Sequence, residues 1–283
     1  MIHLAVGRFN IDIIVKLDSI PPIDSSHMTD VLEIMPGGAA TNYAVAVTKL
    51  GHSAKLLAKV GKSEVVRSLM EKVVELGVGL EYVEELNEKP SATLIFLRSD
   101  GTLSMVRRLG ASILLTREDV KRRFGLFDVI HFASVSPNVV VRDPYAKLVS
   151  YDPGPQAKNI ESIDVDILYI NEKEYEMIEG KNIKARFIVI KMGKKGAKII
   201  TETEECSVEP IQVEKVVDTT GAGDTFDAAF NVTYSEEKDI IKSLQVASVA
   251  SGLKVTKIGG ISSPTLEEVR EYLRKKKPNV ICK

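Results

Sequence analysis

The stretch Asp218-Thr219-Thr220-Gly221-Ala222-Gly223-Asp224-Thr225-Phe226 says most about how this chain folds and what it does. Gly221 and Gly223 have no Cβ, so the backbone can turn tightly and bring consecutive N–H groups close to a ligand. The apolar residues after Asp224 predict a helix, and a loop at a helix N-terminus presents unpaired N–H donors and the positive end of the helix dipole. Phosphate is the natural ligand of such a loop.

Asp224 stands at the mouth of this predicted anion site. A carboxylate there can accept the proton of an attacking hydroxyl, as the aspartate base does in other phosphoryl-transfer enzymes. We therefore predict Asp224 as the catalytic base, with the N–H groups of Gly221, Ala222 and Gly223 stabilising charge on the transferred phosphoryl group. The alternative is an ordinary helix cap, because aspartate and glycine are common at such positions.

The composition favours one large α/β domain with a small-molecule partner. The chain has 283 residues, 44% of them hydrophobic, and its 38 basic and 39 acidic residues nearly cancel. No global field therefore attracts nucleic acid or an anionic membrane. Cys206 and Cys282 lie far apart in sequence, which suggests neither a disulfide framework nor a zinc site and favours a reducing compartment. Since no apolar stretch approaches membrane-spanning length, we expect a cytoplasmic protein.

Strand and helix patterns alternate along most of the chain, which predicts a doubly wound, mostly parallel sheet with helices on both faces. One helix is expected just before the strand that begins at Leu148, and another over 264–275 with Ser263 as its cap and Pro264 as its first residue. The remaining helices are predicted over 40–50, 63–76, 116–123, 172–178, 223–234 and 236–255.

Two segments, about 11–36 and 81–110, consist of short strands without helices to cover them. We interpret them as a small accessory β-sheet that projects from a single domain over residues 1–283. Open parallel sheets bind ligands at the carboxyl ends of their strands, so this sheet could act as a lid over the site. Its free edges need covering, which suggests a homodimer formed through the lid sheet.

Two distant segments together resemble the ribokinase (PfkB) family of carbohydrate and nucleoside kinases, in particular its archaeal nucleoside and sugar kinase members. The first runs from Gly37-Gly38 to Ala44, with Gly51 and Gly61 at the spacing of the family's N-terminal signature. The second runs from Asp218 to Phe230 and fits the C-terminal signature, except that Asn231 replaces an apolar or small residue. The resemblance implies a ribokinase-like kinase with ATP as co-substrate, Mg²⁺ as cofactor and, in some relatives, K⁺. The sequence leaves open whether ATP or ADP is the donor.

The resemblance also implies a substrate site near the first strand. In the family the aspartate that corresponds to Asp12 holds the sugar, and Asn10, Gly37, Gly38 and Asn42 face the same place. A carboxylate beside an amide offers the acceptors and donors that vicinal sugar hydroxyls need. The simpler alternative is a turn-forming asparagine, a solvated aspartate and a helix start.

The resemblance implies a nucleotide site further along the chain, where Asn171 and Glu174 directly follow a predicted strand on one face of a helix. The residues implied to bind ATP are Asn171, Lys191, Gly193, Gly196 and Ser248, while Glu174 would hold Mg²⁺ through water. Asn171 and Glu174 could instead form a helix capping box, and Lys191 could reach a phosphate or extend into solvent. Asp218 resembles a residue of the monovalent-cation loop of some relatives.

The acceptor is left open by the sequence. Val135 stands where ribokinases proper carry an acidic residue, which argues against plain ribose, and other segments favour a ribonucleoside or furanose sugar. Arg107 and Arg108, after a lid strand, would instead suit an anionic sugar such as a 2-keto-3-deoxygluconate-like acid or ribose 1-phosphate. We place Arg108 in the substrate site; otherwise both arginines are surface charges. A nucleotide-sensing protein without turnover is the alternative from another class.

Overall fold

The computed structural model describes residues 1–283 and contains fourteen strands and seven α-helices. The strands are β1 (Ile2–Gly7), β2 (Asn10–Lys16), β3 (Leu32–Gly37), β4 (Ser53–Gly61), β5 (Val78–Leu86), β6 (Ala92–Leu97), β7 (Leu103–Arg108), β8 (Val129–Ala133), β9 (Leu148–Asp152), β10 (Ser162–Asn171), β11 (Asn182–Lys191), β12 (Ala197–Ile200), β13 (Glu205–Val208) and β14 (Val280–Cys282). The helices are α1 (Ala39–Lys49), α2 (Glu64–Glu75), α3 (Arg117–Lys121), α4 (Glu172–Met177), α5 (Ala222–Glu237), α6 (Ile240–Lys254) and α7 (Leu266–Lys275).

Ten strands form one large sheet in the order β14-β13-β12-β11-β10-β9-β8-β1-β4-β5. All pairs from β5 to β11 are parallel, and only β12, β13 and β14 are added in antiparallel fashion. Both faces are covered, as a parallel sheet requires: on β1, Ala5 contributes to the larger core while Leu4 and Val6 contribute to the smaller core on the opposite face. The predicted doubly wound, mostly parallel architecture is confirmed.

A second sheet of four strands, in the order β3-β2-β6-β7, forms the lid. Side chains alternate between its two faces. Ile14 on β2 packs with Ile95 and Leu97 of β6 in a small core of its own. Asn10 and Asp12 lie on the same face of β2 as Ile14, at the end of the strand that joins the large sheet. The strand period therefore directs the predicted substrate residues towards the carboxyl ends of the parallel strands.

Three boundaries differ from the sequence-based predictions. No α-helix lies between β8 and β9, where the chain forms only a 3₁₀ turn over Pro137–Val139. Just before β9, the Asp143 carboxylate accepts hydrogen bonds from the N–H groups of Gly125 and Tyr145 and holds the segment in a turn. Strand β5 overlaps the start of the predicted lid segment 81–110 but pairs with β4 at the edge of the large sheet. Helix α7 begins at Leu266 rather than Pro264, because Thr265 forms a capping box with Glu268.

The two cysteines form a disulfide, which contradicts the expectation that they stay separate. Cys206 on β13 lies directly opposite Cys282 on β14, with their Cα atoms 4.0 Å apart. Neither short strand was predicted from the sequence. The prediction therefore gave no reason to place these two cysteines, 76 positions apart, next to each other. The cytoplasmic location stays a prediction. Among the helices, none combines the length and the apolar character needed to cross a membrane.

Candidate active site

A cavity of about 420 Å³ opens between the lid and the carboxyl ends of the parallel strands, and we call it the cleft. Its volume lies within the range of small-molecule sites. Most of its lining residues are polar, charged or glycine. The lining residues are Arg8, Asn10, Asp12, Gly38, Ala39, Asn42, Thr93, Met105, Arg107, Ser134, Asp152, Gly154, Pro155, Asn171, Glu174, Lys191, Gly193, Thr220, Gly221, Gly223 and Asp224. Residues from both ends of the chain are thus brought to one site, as predicted.

Asp224 lies in the first turn of α5 and faces the cleft. Its Oδ2 accepts a hydrogen bond of 2.7 Å from Asn42 Nδ2, so α1 fixes the orientation of the carboxylate. Burial raises the pKa of Asp224 to about 6, against the lowering effect of the Asn42 hydrogen bond and with a smaller raising effect from Asp152. A carboxylate with this pKa is ionised at neutral pH and is a better proton acceptor than an exposed aspartate.

The glycine-rich loop at the N-terminus of α5, residues 218–223, is named the anion loop. Gly221 adopts a left-handed conformation with φ 76°, and a Cβ there would overlap the backbone of Gly260. The N–H of Ala222 donates to the Thr219 carbonyl at 3.2 Å, so it is not available to a ligand and does not line the cleft. The N–H groups of Gly221, Gly223 and Asp224 have no protein acceptor. The backbone N–H groups available to a ligand are therefore those of Gly221, Gly223 and Asp224, whereas the prediction named Gly221, Ala222 and Gly223.

Asn10 and Asp12 present unpartnered acceptors to the cleft. Both side chains are buried, and the Oδ1 atom of each has no hydrogen-bond partner. Burial raises the pKa of Asp12 to about 7, although the hydroxyl of Thr93 and the charge of Arg107 act in the opposite direction. A Cβ on Gly37 would overlap the Asp12 carboxylate, so Gly37 makes room for this side chain without lining the cleft itself. Buried orphan acceptors of this kind suit the hydroxyl donors of a sugar.

Gly38 is also a backbone requirement. It adopts a φ of 96° directly before α1, and a Cβ on it would overlap the Arg8 carbonyl. This close approach brings the β1–β2 turn against the start of α1, so that Asn10 and Asn42 face one cavity.

Lys191 does not extend into solvent. Its Nζ donates to Asp152 Oδ2 at 2.7 Å and to both carboxylate oxygens of Asp227 at 2.9 Å. Burial alone would lower the pKa of Lys191, but the two carboxylates outweigh it and raise the pKa. A Cβ on Gly223 would lie 3.3 Å from this ammonium group, so a fixed cation lies beside the anion loop. Sequence reasoning missed both carboxylates, although Asp152 directly follows a predicted strand and Asp227 follows Asp224 by one turn.

Asn171 and Glu174 form a capping box, with both hydrogen bonds at 2.9 Å, and both also line the cleft. The two explanations offered by the sequence therefore coexist. Burial, followed by the negative charge of Asp152, raises the pKa of Glu174. A nearby cation would stabilise the ionised form of Glu174, which burial and Asp152 disfavour. This donor set therefore fits Mg²⁺ bound through water. Gly193, as predicted, lines the same end of the cleft.

Besides Ala222, Gly37 and Asp218, three more predicted residues do not line the cleft. Arg108 points away and donates from Nε to the Pro90 carbonyl at 3.0 Å, because strand alternation directs Arg107 inward instead. Gly196, with φ 92°, shapes the turn between β11 and β12. Ser248 is buried in α6 and donates to the Glu209 carbonyl at 2.7 Å. Arg8 and Thr93, which sequence reasoning did not select, face the cleft.

Asp218 is buried beneath the anion loop, and its surroundings do not fit a bound K⁺. Its two carboxylate oxygens each accept an N–H at 2.8 Å, one from Thr220 and one from Gly259. The backbone carbonyls of Asp218 and Lys257 both accept from the ammonium of Lys254 at 3.0 Å. The oxygens that a monovalent cation would need therefore already have partners, and the predicted role of Asp218 in K⁺ binding is not supported.

Comparisons with known proteins agree with this geometry. The chain is 27% identical to the ribokinase of Bacillus subtilis, over 95% of this chain and 98% of that protein. It is 26% identical to the ATP-dependent ribose-1-phosphate kinase of Halopiger xanaduensis, over 95% and 97% of the two chains. The fold matches the crystal structure of the nucleoside kinase of Methanocaldococcus jannaschii with a TM-score of 0.80 at 23% identity, covering 97% of this chain and 98% of that chain.

Residues 3–267 match the pfkB family carbohydrate kinases. This match covers the lid, the strand ends and the anion loop together. The chain therefore belongs to the pfkB family of carbohydrate kinases, which are ATP-dependent phosphotransferases.

Proposed function

We propose that this kinase transfers the γ-phosphoryl group of ATP to a hydroxyl of an anionic sugar, with a sugar phosphate such as ribose 1-phosphate as the leading acceptor. The proposal departs from the sequence-based preference for a ribonucleoside or neutral furanose. The observation that carries it is a pair of arginines, Arg8 and Arg107, in the wall of the cleft beside Asp12.

Neither arginine has a carboxylate partner. No ion pair of the chain includes Arg8 or Arg107, and the only side-chain hydrogen bond of the Arg107 guanidinium is to the Met105 sulfur at 3.0 Å. Burial, followed by the positive charge of Arg107, lowers the pKa of Arg8. Two neighbouring guanidinium groups without a counter-ion are unfavourable by themselves, and both become favourable when a phosphate or carboxylate binds between them.

The lining of the cleft argues against a nucleoside. No aromatic ring contributes to it, and its only apolar side chains are Ala39, Met105 and Pro155. A purine or pyrimidine base gains most of its binding energy from aromatic and apolar walls. The adjacent cavity on the other side of Arg8 measures only about 100 Å³, which is below the usual range for a ligand site. The similarity to a ribose-1-phosphate kinase supports the same choice.

The mechanism follows from the positions of the side chains. Asn10 and Asp12 accept hydrogen bonds from the sugar, Arg8 and Arg107 hold its anionic group, and Asp224 accepts the proton of the attacking hydroxyl. The free N–H groups of the anion loop, with Lys191 beside them, stabilise the phosphoryl oxygens, and such a donor contributes about 3 to 4 kcal/mol to the transition state. Mg²⁺, held through water by Glu174, would neutralise phosphate charge when bound.

The experiment is a panel of acceptors tested with ATP, and separately with ADP, in the presence of Mg²⁺. The panel contains ribose 1-phosphate, 2-keto-3-deoxygluconate, ribose and the ribonucleosides. We expect Arg107→Met to raise KM for the anionic acceptor about 10- to 100-fold with little change in kcat, because charge-assisted hydrogen bonds contribute about 1.5 to 3 kcal/mol. Arg108→Met, on the same strand but facing outward, is the matched control and should behave like the wild type. Preference for a neutral nucleoside would refute the proposal.

We further propose that the protein is a homodimer formed through the outer face of the lid. Ile34, Ile13, Leu94 and Val106 lie opposite one another in register, so one apolar row crosses all four strands. Ile34 is 49% exposed and Val106 is 63% exposed. The two ends of the row are exposed, while Ile13 is partly buried against the larger core. Exposed apolar side chains on a sheet with two free edges are usually covered by another chain.

A further inference from the structure

Lys254, the last residue of α6, is the only lysine whose side chain is fully buried. Its ammonium group has no carboxylate within ion-pair distance and donates instead to the backbone carbonyls of Asp218 and Lys257, both at 3.0 Å. A buried charge is costly unless it is compensated. The group therefore needs an explanation, and the mechanism described above does not use it, since Lys254 does not line the cleft.

The two carbonyls belong to two different segments that meet beneath the phosphate site. One segment is the anion loop, which begins with Asp218. The other, residues 255–261, is named the supporting segment. Gly260 of the supporting segment packs against Gly221. It also lies so close to Asn42 that a Cβ on Gly260 would come within 2.5 Å of the Asn42 side-chain amide. Asn42 in turn orients the catalytic base. Lys254 thus ties together the two backbone segments on which the anion loop and the base depend.

The carboxylate of Asp218 connects the same two segments from the other side. It accepts N–H groups from Thr220 of the anion loop and Gly259 of the supporting segment. Burial lowers the pKa of Lys254 to about 8, and the negative charge of Asp218 acts in the opposite direction, so the ammonium form prevails at neutral pH. Backbone carbonyls from two segments near a buried carboxylate are oxygens of the type that coordinates a monovalent cation. An ammonium group has the same charge, and it satisfies the carbonyls by donating to them.

We propose that Lys254 is a built-in cation that holds the anion loop on the supporting segment, so that this kinase needs no bound K⁺. Lys254 acts as a positioning residue, because it touches the loop and not the reactants. The proposal rests on the family assignment and on these contacts, and it is independent of which sugar is the acceptor.

The test measures the affinity for Mg·ADP by calorimetry, which needs no acceptor. Wild-type protein is compared in potassium chloride and in tetramethylammonium chloride at equal ionic strength. We expect the same dissociation constant in both salts. Lys254→Met removes the charge but keeps most of the stem; it should weaken Mg·ADP binding about tenfold or more in tetramethylammonium, because charge-assisted hydrogen bonds that position the loop are lost. K⁺ or NH₄⁺ should restore much of this affinity by entering the vacated position.

Lys49 offers a matched control, because its Nζ also donates to two backbone carbonyls, those of Ile261 and Ser263, at 3.0 and 3.1 Å. The Ile261 carbonyl is at the far end of the supporting segment and the Ser263 carbonyl lies beyond it, and neither residue is hydrogen-bonded to Asp218. Lys49→Met should lower the melting temperature without making ADP binding respond to K⁺. A selective response of the Lys254 variant alone separates a positioned cation from general loss of stability.

Two results would overturn the proposal. One is a response of the wild-type protein to K⁺ that tetramethylammonium does not produce: either a severalfold rise in ADP affinity or a rise of several degrees in melting temperature. The other is a folded Lys254→Met variant with wild-type affinity in both salts. If that variant does not fold, the wild-type comparison still decides, and Lys254→Arg, which keeps the charge, should bind Mg·ADP independently of K⁺.

Discussion

Replacing Asp224 by asparagine should remove the reaction and change the pH dependence of stability in a calculable way. The side chain is the proposed base, so Asp224→Asn should lower kcat by about 10²- to 10⁴-fold, the usual contribution of a general base. The amide keeps the shape of the carboxylate and can still accept the hydrogen bond from Asn42. The fold should therefore survive, and the loss should lie in the chemical step.

The stability effect follows from the raised pKa of Asp224. Its pKa is about 6 in the folded protein, mainly because of burial, against 3.8 for the free side chain. The folded state thus binds the proton more tightly, so wild-type stability falls as the pH rises from about 4 to about 6 and stays reduced above that. A shift of about two units corresponds to about 3 kcal/mol. Asparagine does not titrate, so the variant avoids this cost.

The assay is urea denaturation of both proteins across this pH range. The free energy of unfolding of Asp224→Asn, relative to wild type, should rise by about 3 kcal/mol between about pH 4 and pH 7. Asp143, a buried aspartate outside the cleft that accepts two backbone N–H groups, is the control. Asp143→Asn should lower the free energy of unfolding by about 1 to 3 kcal/mol and leave the catalytic rate unchanged. A flat difference between Asp224→Asn and wild type, or undiminished turnover, would refute the reasoning.

Three further predictions test other parts of the molecule. The free energy of unfolding of Asp12→Asn, relative to wild type, should rise by about 4 kcal/mol between about pH 4 and above pH 7, since burial raises the pKa of Asp12 from 3.8 to about 7. The same variant should lose acceptor binding. A variant less stable than wild type at high pH would contradict this. Reducing Cys206–Cys282, which closes 76 residues, should lower the free energy of unfolding by about 4 kcal/mol in urea titrations with and without reductant. Ile34→Lys should convert a dimer into a monomer in analytical ultracentrifugation, and a monomeric wild type would disprove the lid interface.

The sequence predicted those parts of the site that depend on local backbone rules. Gly221 lies in a turn with φ 76° before a helix, and Asp224 follows it in the first helical turn, so spacing along the chain determines their geometry. The carboxyl ends of parallel strands meet at one edge, which predicts that Asn171 and Lys191 come together. Their proximity to Asn10 and Asp12 follows from the sheet order and the lid, and was implied by the family resemblance.

The misses have a common cause, which is that partners distant in sequence decide the role of a side chain. Arg107 and Arg108 look equivalent in sequence, and only the register of β7 in the lid directs the first inward. Asn231 departs from the family pattern, yet it is fully satisfied, because it accepts from Tyr169 at 2.8 Å and donates to Tyr43 and Ser150 at 3.0 and 2.8 Å. No local sequence pattern predicts this polar network, which joins helix α5 to helix α1 and to strands β9 and β10.

The charges of the cleft indicate a site organised for a ligand that the free protein lacks. Burial disfavours the ionised forms of Asp12, Asp224 and Glu174, while Arg8 and Arg107 lie nearby without forming ion pairs. A stability-optimised protein would pair these groups with one another. Their separation costs folding free energy, and it leaves the arginines available to an anion and the carboxylates available to hydroxyl protons and Mg²⁺. Lys191 and Lys254 differ from these groups, because their donors are all directed at protein acceptors. Lys191 is held beside the anion loop by Asp152 and Asp227, and Lys254 joins the loop to the supporting segment.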